Sequence, residues 1–79
     1  MPIYEFFWYD ENREHVEEHG VSMDEFEAVV CDPLRVEKSR SSNRRVAFGY
    51  GDDGRKLVCV YEMIDKATIL PVTAYEVEP

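Results

Sequence analysis

RVAFGYGDDGRKLVCVYEMI (45–64) reads as two strands joined by a turn. Val46, Phe48 and Tyr50 alternate with Arg45, Ala47 and Gly49, the period of two expected of a half-buried strand. GDDG (51–54) has the residue types that join hairpin strands. KLVCVYEMI (56–64) is apolar on both faces, which suits the middle of a sheet.

The pattern extends in both directions. After an Asp65-Lys66 turn comes ATILPVTAYEV (67–77), where Pro71 predicts an edge position or a bulge. Before the hairpin, LRVEK (34–38) suits a short strand and SRSSN (39–43) a polar loop. Aromatic-rich IYEFFW (3–8) reads as a first strand.

Between them the period is helical. Asp10 suits a helix cap, Glu11 and Glu14 favour the first turn, and Gly20 suits the left-handed residue that ends a helix. With Val16 its only aliphatic residue, the predicted inward face is Asn12, His15, Val16 and His19. The second helix has a capping box in Ser22 and Glu25, a hydrophobic staple in Val21 and Phe26, and an apolar stripe of Met23, Phe26, Val29 and Val30. Asp32-Pro33 ends it. The order predicts one α+β domain over residues 1–79, β-α-α-β-β-β(β), with an antiparallel sheet and a two-helix hairpin packed on one face.

Seventy-nine residues suffice for one domain, which at this size buries only roughly 60–65% of its unfolded surface. Homodimerisation or a bound partner is therefore expected to help. Cys31 and Cys59 sit in apolar runs and are expected to be reduced core residues. With no targeting segment or long apolar run in view, the expectation is a soluble cytoplasmic protein. The net charge of -8 is unevenly spread. Residues 1–32 hold ten acids and one base, whereas residues 33–56 hold seven bases and three acids.

Several short motifs stand out along the chain. They are Trp8, Asp10, Glu11 and Asn12; the His19 to Ser22 hinge; Phe26; and the Asp32-Pro33 pair. Arg45, Ala47 and Gly49 follow, then Gly54, Arg55, Leu57, Val58, Val60 and Tyr61. In this order they resemble the BrnT family, and the resemblance covers residues 8 to about 75. It implies a fold similar to RelE and ParE, metal-independent ribonuclease activity, and an antitoxin partner with a ribbon-helix-helix segment. The chain departs from the family where Glu18 replaces a usual lysine and where Tyr75 and Glu76 replace an arginine-rich end.

RNA cleavage without a metal needs a base for the 2′-hydroxyl, cations for the phosphorane and an acid for the leaving oxygen. The candidate catalytic residues are Arg45, Arg55, Tyr75 and His19, with His15 an alternative base and Tyr61 an alternative donor. Lys38, Arg40 and Arg44 are candidates for binding RNA phosphates. Arg44 and Arg45 must point to opposite sheet faces, so at most one of them joins Arg55. His15 and His19 share a helix face, but no further ligands are marked, so neither metal nor cofactor is expected. The alternative reading is a non-catalytic interaction module of the same fold.

Overall fold

The computed structural model describes residues 3–77. Strand β1 (Glu5–Phe6) leads into helices α1 (Asp10–Glu18) and α2 (Met23–Cys31). Four strands follow: β2 (Arg35–Lys38), β3 (Arg44–Tyr50), β4 (Lys56–Met63) and β5 (Thr68–Glu76). They form one sheet ordered β1-β5-β4-β3-β2, with β4 central as its apolar composition requires. The α+β class and element order match the sequence reading. One pair departs from it: β1 lies parallel to β5, so the sheet is mixed at that edge.

Pro71 does mark an irregularity. Val60 pairs with Thr73 and Tyr61 with Pro71, leaving Val72 as the extra residue of a bulge. Because β1 stops at Phe6, the β5 edge beyond Ile69 lacks a strand partner. Helix α1 lies along β5 there. Asn12, buried and fully used, donates through Nδ2 to the carbonyls of Pro71 and Phe7, both at 3.0 Å. Its Oδ1 accepts from the Tyr9 N–H at 2.8 Å. The helix cap is accordingly Tyr9, not Asp10, with Asn12 closing the first turn.

The expected inward face of α1 is only half correct. Asn12 and Val16 are buried, while His15 and His19 are exposed. A nine-residue helix makes just two and a half turns, and one i, i+4 pair spans its contact with β5. His15 instead lies 3.9 Å from Glu11 on the solvent side. Gly20, at φ 80°, makes the left-handed turn between the helices.

Helix α2 forms as its caps predict. Ser22 Oγ accepts from Glu25 N at 3.0 Å, and Glu25 Oε1 accepts from Ser22 N at 3.1 Å. Phe26 is fully buried and meets the edges of Trp8 and Phe6 at ring-centroid distances of 5.3 and 6.5 Å. Burying such a ring stabilises the fold by about 2–3 kcal/mol. Cys31 falls one residue past Val30, turns away from the sheet and is exposed, unlike the expected core cysteine. Cys59 is buried, and that burial pushes its thiol up to about 12.

Of the two faces of β3, the helices cover the small one. Ala47 and Gly49 share their side of the sheet with the buried Cys59 and Leu57. A Cβ on Gly49 would lie 3.0 Å from Val29 Cγ1, so α2 seats directly on the glycine backbone. The larger Val46, Phe48 and Tyr50 therefore face the open side.

Candidate functional site

The helical layer stops short of one end of the sheet. Val29 lies over Gly49, and Glu25 reaches the turn after β3, so α2 covers that half of the strand. Arg45, at the other end of β3, stays uncovered by it. The register there places Lys38, Arg45 and Tyr61 in one row across β2, β3 and β4, all pointing to the helix side. Neighbouring strands lie about 4.8 Å apart, so this row juxtaposes two cations and a phenol.

A cleft of about 430 Å³ opens at this end, lined by Tyr4, Asn43, Arg45, Met63, Asp65 and Lys66 among others. Local hydrogen bonds build its walls. Asn43 O accepts from Met63 N at 3.1 Å, extending the β3–β4 ladder by one step. Asp65 Oδ1 accepts from the N–H groups of Ala67 (2.9 Å) and Thr68 (2.8 Å), which holds its carboxyl below the usual range and presents Lys66 on the turn. Among the described residues, Arg45 forms no ion pair with a carboxylate. The buried Tyr61 beside it has its hydroxyl pKa raised by burial, an effect that the Arg45 guanidinium partly offsets. A guanidinium without a carboxylate partner among the described residues, backed by a phenol, is suited to hold an oxyanion.

The other sequence candidates do not meet here. Arg55 shares the Arg45 side of the sheet but lies six residues before Tyr61, about 20 Å along the strand. It is also occupied. Its Nη2 donates to both Glu25 carboxylate oxygens (3.2 and 3.1 Å), and Nε donates to Asp53 at 2.8 Å. Arg44 occupies the opposite face, as the alternation predicts, and pairs with Glu62 at 3.0 Å. Tyr75 also faces the open side, opposite Val58. His19 caps the end of α1, exposed to solvent. Arg40 lies in the exposed loop leading from β2 into Arg44 and Arg45. A single site containing Arg45, Arg55, Tyr75 and His19 is therefore not assembled.

A second hollow, of about 230 Å³, lies between α1 and the open face. Arg44 and His15 line it, but so do Glu11 and Glu62, which makes it a poor receptor for phosphate. The cleft residues that the sequence reading missed are Tyr4, Asn43 and Lys66. Only the strand register and the turn lengths bring them together. No group of three metal-ligating side chains occurs among the described residues, and no helix there is long and apolar enough to cross a membrane.

No family model matches the chain, and no curated protein matches it. Among solved structures, the fold is similar to the 1.1 Å crystal structure of the Brucella abortus ribonuclease toxin BrnT. The TM-score is 0.69, with 13% sequence identity over 100% of both chains. At that identity the likeness speaks for a BrnT-like fold.

Proposed function

We propose that this chain is the toxin-type domain of a toxin–antitoxin pair and that it cleaves RNA at the Arg45 cleft. The carrying observation is Arg45 itself: half-buried, without a carboxylate partner among the described residues, and set between Lys38 and Tyr61 at the open end of a BrnT-like fold. In the reaction, the ribose 2′-oxygen attacks phosphorus and the P–O5′ bond breaks, leaving a 2′,3′-cyclic phosphate and a 5′-hydroxyl. Arg45 and Lys66 neutralise the charge gathering on the phosphorane. Tyr61, buried behind Arg45 and kept protonated by its raised pKa, positions the guanidinium, and water protonates the departing 5′-oxygen. The cleft holds no histidine among the described residues, so the 2′-proton leaves to water and turnover is slow. Lys38 and Arg40 extend the cationic track for neighbouring phosphates.

The exposed acids of α1, Glu11, Glu14, Glu17 and Glu18, suit a basic segment of the antitoxin. The reaction assigned to this cleft uses guanidinium and ammonium charge. The purified protein, incubated with single-stranded RNA in excess EDTA, is therefore expected to yield fragments ending in cyclic phosphate. Intact RNA after incubation with correctly folded protein would overturn the catalytic reading.

A second reading has a specific observation behind it. Arg55 is committed to Glu25, and both His19 and Tyr75 lie away from the cleft, so much of the anticipated catalytic set is missing there. Under this reading the domain is a non-catalytic module that binds anionic or protein partners. RNA that is retained but never cut would support it.

A further inference from the structure

We propose that two copies of this chain pair face to face through the open side of the sheet. An antiparallel sheet that faces water normally turns polar residues outward. This one places half-buried Val46, Phe48 and Val60 at the centre of its open side, around Val58, which is buried already. Tyr50 and Tyr75 flank them, 59% and 44% exposed. Arg35 stacks on Phe48 at 4.3 Å to the ring centroid and rims the patch.

Charge selects the occupant. The chain carries -8, so most surfaces of two copies would set acid against acid. The open face is balanced instead, with Arg35, Arg44 and Lys56 against Glu5, Glu37 and Glu62.

The register makes this face complementary to itself. Its rows are Arg44 with Glu62, Val46 with Val60, Phe48 with Val58, and Tyr50 with Lys56. A two-fold axis running along the strands, between β3 and β4, stacks each residue over the row partner of the other copy. Arg44 then lies over the partner's Glu62, and the reciprocal pair forms too. Tyr50 meets the partner's Lys56 as a cation–π contact, and Val46 packs against the partner's Val60. Two sheets related in this way keep their strands aligned to within about 30°, the usual geometry of a sandwich. Strands β2 to β5, of four, seven, eight and nine residues, offer roughly 450 Å² per copy, about 900 Å² in total, the size of a weak, transient interface. The dimer is therefore expected to dissociate on dilution. The Arg45 cleft lies on the other side and stays open, so this inference stands independently of the proposed activity.

Sedimentation velocity over a concentration series tests it. The wild type is expected to move from 9.3 kDa towards twice that mass as concentration rises. Arg44→Glu and Glu62→Arg each set like charges against each other in their own homodimers, and each should remain monomeric. Mixed one to one, they restore both interchain pairs and the dimer should return. Val60→Lys, with an unchanged circular dichroism spectrum, should also be monomeric. A wild type that stays at 9.3 kDa throughout would overturn the proposal and leave the face to a different protein. So would a dimer that all these substitutions leave intact.

Discussion

Replacing Arg45 by alanine is expected to lower the rate of RNA cleavage about 100- to 1,000-fold, the loss seen when one preorganised oxyanion donor is removed. The melting temperature should barely change. Arg45 forms no ion pair among the described residues, and its β3 backbone stays paired to β2 and β4. Arg45→Lys keeps the charge but not the two-pronged donor geometry and should recover only part of the rate. The paired control is Arg44→Ala, one residue away on the opposite face, which should leave cleavage unchanged. Equal losses from the two substitutions would mean that net charge matters and the cleft does not. Single-turnover cleavage of a labelled oligonucleotide separates these outcomes.

Glu25→Ala is expected to produce the largest loss of stability. Glu25 is buried and joins three parts of the molecule. It accepts from Ser22 N at the head of α2, from Asp52 N at 3.0 Å in the β3–β4 turn, and from Arg55 at the start of β4. Gly51 exists to admit it, since a Cβ there would collide with Glu25 Oε2. Truncation removes the reciprocal half of the capping box, strands a turn N–H and takes this carboxylate from Arg55, together costing about 2–4 kcal/mol. For a domain of this size that lowers the melting temperature by roughly 10–25 °C.

The same carboxylate predicts an acid dependence. Burial works against its charge, but the Ser22 and Asp52 N–H groups and Arg55 outweigh it, so the folded pKa lies below the usual 4.5. A depressed acid binds fewer protons when folded than when unfolded. Its stabilisation is therefore complete above the unfolded pKa and fades as pH falls below 4.5 through the folded value. Glu25→Gln should flatten that part of the curve while keeping more stability than alanine. Thermal melts from pH 7 to pH 3 check both points.

Local features of this fold were legible in the chain; distant ones were not. The Ser22–Glu25 box and the β3–β4 hairpin lie within a few residues and form as read. The alternation along β3 was visible, but alternation does not say which face the helices cover. That depends on Val29 settling over Gly49, so small residues are buried and large ones left open. The parallel pairing of β1 with β5 joins residues more than sixty positions apart, beyond any local signal. His15 and His19 sat at helical spacing from Asn12, yet so short a helix has a seam only two residues long.

The lining of the candidate cleft was legible only in part. The cationic segment pointed to an anion receptor, and Arg45 with Lys38 forms the centre of the one proposed. Arg55 looked equivalent until its partner Glu25, thirty residues away, placed it in a structural network. Tyr4 and Lys66 carried no motif, and the turn that presents Lys66 is held by Asp65.

Everything above about RNA depends on phosphates entering the Lys38–Arg45–Tyr61 row. The most direct measurement is a heteronuclear NMR titration of the isotope-labelled protein with a 2′-O-methyl RNA that cannot be cut. The expected shifts concentrate at Lys38, Asn43, Arg45, Tyr61 and Lys66 and weaken as salt is added. Shifts centred on Arg44, Glu62 and the open face, or no shifts at all, would contradict the assignment.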